Sequence, residues 1–378
     1  MSGEAKLAPS LDELVRTKRI LVCCGAGGVG KTTTATALAI AAARAGRRVL
    51  ALTVDPSKRL SDTLGVAQNL EAPAPPPADR LAAAGISAPG SLEAWMLDPK
   101  LIADRLVRRF SRGEAEAERL MQNRVYRQMT RMVAGMQEYT AMEALYGFVQ
   151  EGRHDLVVLD TPPARNALDF LEGPGKITEF LEGRVFRLFL PDENAGLIAR
   201  GAAQLVGKAL GAALGDDNYR ELQSFFAAFA EVFRRGGANA QAMRKALSDP
   251  AVTSFVLVTA PTSVAISDVL YFRERAEEMR LPFGGFVLNR SQAREDARAM
   301  PNPSLLPEGA SEVQRRAYAK LAAMAEVERA EVARDRALLA DLSARAGDRG
   351  FALALPSLAG GADDIASLVL LASAVVES

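Results

Sequence analysis

A glycine-rich stretch, Gly25–Thr33, constrains the fold of this chain more than any other part of it. An apolar run, Ile20–Cys24, precedes it and an alanine-rich run, Thr34–Ala45, follows it, so the predicted order is strand, glycine loop and helix. The stretch fits the pattern G-x-x-x-x-G-K-[ST], in which the backbone N–H groups of the loop and the N-terminus of the helix bind phosphate oxygens. The sequence therefore predicts a phosphate-binding loop between the first strand and the next helix.

Two side chains of this loop carry the expected nucleotide chemistry. Lys31 has the length and charge to reach the β- and γ-phosphates, and the hydroxyl of Thr32 is suited to bind Mg²⁺. The residues predicted to bind the nucleotide here are Gly25, Ala26, Gly27, Gly28, Val29, Gly30, Lys31, Thr32 and Thr33.

Later apolar runs predict a sheet whose strands end in acidic residues. Val49–Thr53 reads as a second strand, and the helix between the two strands makes a βαβ unit, which implies a parallel sheet. Asp55 follows this strand. A further buried strand ends at Asp160, and Thr161–Pro163 follow at once. An acid at that point matches the carboxylate on the Mg²⁺ side of phosphate-loop ATPases.

Composition excludes several classes of protein. Lys and Arg total 46, as do Asp and Glu, so no basic excess favours a nucleic-acid partner. Met1–Lys18 has no apolar signal region, and no uncharged apolar run of about 18 residues predicts a membrane span, so a membrane role, if there is one, is peripheral. The only cysteines, Cys23 and Cys24, are adjacent and cannot form a disulfide framework, which favours a reducing, cytoplasmic location.

Taken together, the motifs at Gly27–Thr33, Asp55–Pro56 and Asp160–Pro163 resemble the ArsA-type ATPase family. That family includes the arsenical pump-driving ATPases and the Get-pathway ATPases that target tail-anchored membrane proteins. The resemblance implies an α/β fold, a P-loop NTPase with a mostly parallel sheet flanked by helices, plus an inserted helical subdomain. The implied ATPase core is 1–97, 151–176 and 250–378, and the implied helical inserts are 98–150 and 177–249.

The resemblance also assigns roles around the phosphates. It implies that Asp55 orients or activates the attacking water and, with Lys31, is catalytic. Thr32 and Asp160 would hold Mg²⁺ beside bound ATP.

A second group of residues is assigned to the adenine and to nucleotide sensing. The resemblance implies that Asn289 hydrogen-bonds adenine and that Pro356 lines the same pocket. Two switch segments, Asp55–Asp62 and Thr161–Leu171, would respond to the γ-phosphate.

The chain departs from the family pattern at two points. The signature lysine, which in such dimers reaches the partner's nucleotide, is replaced by Ala26. Lys58, Arg59 and Arg165 are the candidates to replace its charge. Neither an arsenite site nor a zinc site is expected, since both need converging thiolates and adjacent cysteines on a strand point to opposite faces.

Two functional hypotheses follow. The first is an ArsA/Get-like ATPase that couples binding and hydrolysis of Mg·ATP to the opening and closing of a helical, apolar client site, for example for a membrane-protein segment. It would act as a homodimer or as a heterodimer with a related ATPase, and slowly if nothing replaces the missing lysine. The alternative is a nucleotide-regulated assembly module or partner subunit with little ATPase activity of its own.

Overall fold

The chain divides into two compact units, one made of Met1–Met96, His154–Ala164 and Asp249–Ser378 and the other of Leu97–Arg153 and Arg165–Ser248. In the computed structural model, the residues described are 9–54, 59–67, 70–87, 91–123, 126, 136–162, 208–209, 211–212, 215–296, 306, 309–358, 361 and 364–376.

The first unit is organised on a parallel sheet, as the βαβ pattern predicts. Its strands are β1 (Ile20–Gly25), β2 (Val49–Thr53), β3 (Leu92–Met96), β4 (Leu156–Asp160), β5 (Thr253–Thr259), β6 (Phe283–Ser291) and β7 (Phe351–Pro356). These seven described strands lie in the order β3-β2-β4-β1-β5-β6-β7, and every pair is parallel. β1 is therefore central, between β4 and β5, and the predicted α/β fold class is confirmed.

The described helices lie before, between and after the strands in the sequence. They are α1 (Leu11–Thr17), α2 (Lys31–Arg44), α3 (Arg59–Leu64), α4 (Ala78–Ala83), α5 (Pro99–Phe110), α6 (Glu114–Gln122), α7 (Met136–Glu151), α8 (Asp216–Ser248), α9 (Ser263–Glu278), α10 (Glu312–Ala346) and α11 (Ile365–Val376). α5 to α8 belong to the second unit, and the others belong to the first. The charged run Glu312–Ala346 forms the single long helix α10.

The helix after the glycine loop is buried on almost every side. α2 is mostly alanine and threonine, and its buried residues include Ala37, Leu38 and Ile40. It contacts β1, β2 and β4 of the sheet, and α11 also packs against it. Small side chains let a helix approach its neighbours closely at the density of a protein interior. This packing fixes the start of α2, and with it the end of the glycine loop.

An ion pair at the opposite end of the sheet connects the starts of β2 and β4. Arg48 donates from its backbone N–H to Asp155 Oδ2 at 2.9 Å and from its guanidinium to Asp155 Oδ1 at 2.6 Å. These hydrogen bonds lower the pKa of Asp155 to about 2. The two strands then run in register, so that Thr53 lies opposite Asp160 where they end.

The second unit consists of packed helices in its described residues. α5 begins at Pro99 after Asp98, whose carboxylate accepts the N–H groups of Lys100 and Leu101. The helical region predicted from Asp98 to about Gln150 is interrupted, because α5 ends at Phe110 and α6 starts only after Gly113. Burial raises the pKa of Tyr126, whose hydroxyl donates to Asp104 at 2.8 Å. Among the described helices, none has both the length and the apolar content needed to cross a membrane.

Candidate functional site

The glycine loop connects β1 to α2 and depends on glycine at specific positions. Gly28 and Gly30 have φ of 79° and 90°, a left-handed conformation that side chains disfavour. Gly25 lies so close to β5 that a Cβ atom there would come within 2.1 Å of the carbonyl oxygen of Val258. These glycines allow the loop to turn sharply beside the sheet, so that the N-terminus of α2 lies directly after it.

Lys31, the first residue of α2, folds back over the loop. Its side chain is buried, with 6% of the residue exposed, and its Nζ donates to the carbonyl oxygen of Ala26 at 2.8 Å. This contact holds the ammonium group above the turn that is predicted to bind phosphate. The methyl group of Ala26, at the position of the missing lysine, is itself buried at the edge of the core.

Two hydroxyl groups converge on one carboxylate next to the loop. Thr32 Oγ1 donates to Asp160 Oδ2 at 2.6 Å, and Thr53 Oγ1 donates to the same oxygen at 3.0 Å. Asp160 is only 1% exposed. Thr53 was not among the predicted site residues. Its position as the last residue of β2 could have indicated it, because the carboxyl ends of parallel strands lie on the same side of the sheet.

The chemistry of these groups fits magnesium better than a soft metal. Hydroxyl and carboxylate oxygens are the ligands that Mg²⁺ prefers, and it is usually held by one or two carboxylates together with substrate phosphates. The described residues include no group of three or more His, Cys, Asp or Glu side chains that could hold a metal ion. Thr32 and Asp160 could hold Mg²⁺ only together with oxygens of a bound phosphate.

The two cysteines next to this site are buried in the sheet. Burial raises the pKa of the Cys23 thiol well above its ordinary value and that of the Cys24 thiol to about 12. Both therefore stay as thiols at neutral pH, whereas a metal ligand must be a thiolate. Thr161 Oγ1 donates to the carbonyl oxygen of Cys23 at 2.8 Å, which ties the end of β4 to β1.

A cavity of about 470 Å³ lies beside the start of α2. Thr32, Thr33 and Asn289 line it together with Pro356 and Leu358, so hydroxyl and amide groups share it with an apolar wall. Asn289 is 2% exposed, and its Nδ2 donates to the carbonyl oxygen of Val29 in the glycine loop at 2.9 Å. The structure thus brings both residues predicted for the adenine pocket to the cavity that contains the loop threonines.

Several predicted residues lie outside the described part of the chain. They are Asp55, Lys58 and Arg165, together with most of the segment Thr161–Leu171. Arg59 is the first residue of α3, and only its backbone is described. The roles predicted for these residues stay predictions.

Comparison with known proteins adds an independent line of information. The model of the ArsA ATPase family, described as anion-transporting ATPase, matches residues 18–298. ATPase GET3 of Ajellomyces dermatitidis is 29% identical over 263 residues, which are 68% of this chain and 69% of the relative. The putative arsenical pump-driving ATPase 1 of Aquifex aeolicus is 24% identical over 265 residues, 67% of this chain and 59% of the relative.

The family match covers most of the chain, including the glycine loop, Asp160 and Asn289. The family predicted from the three sequence motifs is therefore confirmed. The chain belongs to the ArsA-type, anion-transporting ATPase family.

Proposed function

We propose that this chain binds ATP with Mg²⁺ at Gly25–Thr33, hydrolyses it to ADP and phosphate, and couples the state of the nucleotide to a client site in its helical unit. The family is one of ATPases, and the related proteins are named as ATPases. The observation that carries the proposal is the 2.6 Å hydrogen bond between Thr32 of the loop and Asp160 at the end of β4.

The loop supplies the groups that bind the phosphates. Backbone N–H groups around Gly28 and Gly30 and the N-terminus of α2 provide positive potential for anionic oxygens. Lys31 would exchange its bond to the Ala26 carbonyl for phosphate oxygens, and its burial favours pairing with a negative charge.

Thr32 and Asp160 would hold the metal beside the bound phosphates. When bound, Mg²⁺ neutralises part of the negative charge that develops during transfer of the γ-phosphoryl group. Asp160 also accepts from Thr53, so its carboxylate is oriented by two neighbouring elements. Asp55, two residues beyond β2, is proposed to orient the attacking water.

The path of the chain supports a coupling between nucleotide and helices. The second unit begins directly after β3, and its second segment begins directly after His154–Ala164, which contains Asp160 and Thr161. A switch segment at the end of β4 that responds to the γ-phosphate would change the conformation of the chain that leads into that unit. We propose an apolar helix, such as a membrane-protein segment, as the client, and a second copy or a related ATPase as the dimer partner.

The test combines ATP binding by calorimetry with phosphate release. Replacing Lys31→Ala removes the buried ammonium group, so we expect turnover to fall at least about 100-fold. For Asp55→Asn we expect slow hydrolysis with ATP affinity retained. Lys320→Ala, which removes an exposed lysine of α10, is the control and should change neither quantity.

Two outcomes would contradict the proposal. One is a wild-type protein that takes up no ATP in the presence of Mg²⁺, and the other is a Lys31→Ala variant with unchanged turnover. Association that depends on ATP but releases no phosphate would favour the assembly module in place of the ATPase.

A further inference from the structure

β6 carries a bulge at the point where it reaches the cavity. Leu288 pairs with Ala354 of β7, but the next pair is Ser291 with Pro356, so β6 has one more residue than β7 between the two pairs. Asn289 and Arg290 occupy this interval. Bulges of this kind often lie next to functional sites, where they redirect a side chain.

Arg290 adopts a backbone conformation that is unusual for arginine. Its φ is 56°, and among the described residues only one other non-glycine residue, Arg280, has a positive φ, also of 56°. Arg280 immediately follows the C-cap of α9, where a left-handed residue is common because it ends the helix. Arg290 lies instead in the bulge of β6, where a left-handed residue occurs but is usually glycine, so arginine is an unusual choice there.

Hydrogen bonds on both sides hold Arg290 in this conformation. On one side Asn289 donates to the carbonyl oxygen of Val29, at 2.9 Å. On the other side the backbone N–H of Gln292 donates to Asp335 Oδ2 at 2.8 Å, and Ser291 Oγ donates to the same oxygen at 3.3 Å. Asp335 is completely buried. A strained residue that its neighbours fix in this way suggests a function for its side chain.

The side chain of Arg290 is placed to meet a ligand. It lines the cavity of about 470 Å³ together with Thr33, Pro356 and Leu358. Arg290 is exposed, and its side chain makes no hydrogen bond or ion pair within the described part of the chain. Its planar, charged guanidinium is therefore available to contact a ligand in the cavity.

We propose that the guanidinium of Arg290 packs against the base of the nucleotide whose phosphates the glycine loop binds. This inference rests on the proposed function. Lys31 and the loop already provide the positive charge at the phosphate end, whereas Arg290 is next to Ser291, which pairs with Pro356 of the apolar wall. A planar guanidinium stacks on aromatic rings and tolerates solvent at its edge.

The test compares two ligands in wild-type protein and in three variants, each titrated by calorimetry with Mg²⁺. Arg290→Gly removes the guanidinium and suits the left-handed backbone, and Arg290→Asn is a second variant that tolerates the same conformation. Arg280→Gly is the matched control, because it removes an arginine of identical φ that does not line the cavity. The ligands are ATP and inorganic tripolyphosphate, and chemical denaturation checks that each variant is folded.

For both Arg290 variants we expect affinity for ATP to fall roughly fivefold to 100-fold, the effect of losing one stacked base contact, while affinity for tripolyphosphate stays the same. The control should bind both ligands like the wild type. An equal fall for ATP and tripolyphosphate would assign the guanidinium to the phosphates, and unchanged ATP affinity would remove Arg290 from the site; either result overturns the inference. A wild-type protein that binds no ATP would instead refute the proposed function.

Discussion

Gly30 is the residue at which the glycine loop, α2 and β6 meet. It precedes the first residue of α2, its φ is 90°, and the amide of Asn289 lies against its α-carbon. A single methyl group at this position would therefore disturb both the backbone of the loop and the contact from Asn289 to Val29.

The first residue-scale prediction concerns Gly30→Ala. A Cβ atom would come within 2.1 Å of Asn289 Nδ2, and the residue would keep a strained φ, so we expect a loss of about 2–4 kcal/mol in the free energy of unfolding. ATP affinity should fall as well. Gly46→Ala is the control: its φ is 86°, but nothing lies within 4 Å of the added Cβ, so only the cost of the left-handed backbone, about 1 kcal/mol, should appear in urea denaturation. Equal losses in the two variants would show that Asn289 does not restrict this position.

A second residue-scale prediction concerns pH. Because hydrogen bonds from Arg48 lower the pKa of Asp155 from an ordinary value of 3.8 to about 2, the folded protein gains stability from the carboxylate above pH 4 and loses that gain as the pH falls from about 4 to 2. The side chain is 39% exposed, so solvent reduces the contribution to below about 1 kcal/mol. Asp155→Asn should therefore lower the free energy of unfolding at pH 7 and change it much less near pH 2, where this carboxyl is already partly protonated in the folded protein. A difference between wild type and variant that is the same at both pH values would contradict this account.

How far the site can be predicted differs from residue to residue. Lys31, Thr32 and Asp160 stand in local motifs at strand ends, and the structure brings Thr32 and Asp160 within hydrogen-bond distance. The contact of Asn289 with Val29 joins residues far apart in the chain and could not be read from a pattern. Asp335 lies in a charged helical run typical of a solvated surface, yet it is completely buried.

At the scale of elements, side chains of α10 hold the end of β6 and the turn after it through hydrogen bonds. Asp335 accepts from Ser291, the last residue of β6, and from Gln292 of that turn, and the neighbouring Arg334 donates to its other oxygen at 2.9 and 3.0 Å. Arg336 also donates to the carbonyl oxygen of Ala293. One turn of a long helix thus holds in place the end of β6 that contains Asn289 and Arg290.

We therefore predict that Asp335→Ala lowers the free energy of unfolding by about 1–3 kcal/mol, because it removes a completely buried carboxylate and leaves the half-buried N–H of Gln292 without its acceptor. ATP affinity should weaken too, since the turn after β6 is no longer held. Asp341→Ala removes a carboxylate from the same helix, but Asp341 is 49% exposed and its partner Arg345 is 51% exposed, so it should cost less than about 0.5 kcal/mol. Chemical denaturation and calorimetry measure the two effects, and an Asp335→Ala variant that unfolds like Asp341→Ala would refute the role given to Asp335.

At the scale of the whole molecule, the fold class could be predicted because the central strands are buried on both faces and read as continuous apolar runs. Because all the described strands are parallel, the carboxyl ends of β1, β2, β4 and β6, which carry the site residues, point to the same side of the sheet. The interruption of the helical region after Phe110 was missed, because a short Ser-Arg-Gly break carries little periodic signal.

The proposed coupling makes a prediction at this scale. If the nucleotide state is transmitted to the helical unit, hydrogen exchange in α5 to α8 should differ between protein saturated with Mg·ATP and protein saturated with Mg·ADP. In Lys31→Ala the two states should give the same exchange. Protection that changes around the glycine loop but is identical in α5 to α8 for both nucleotides would contradict the coupling.

The central place of β1 has a consequence for synthesis on the ribosome. β1 is made before both of its neighbours, β4 and β5, which begin at residues 156 and 253. At about 5–20 residues per second, translation from residue 25 to residue 253 takes roughly 10 to 50 seconds. Until β4 has been made both edges of this apolar strand lack their native neighbours, and until β5 has been made one edge still does, so we expect the nascent chain to need protection from aggregation during that interval.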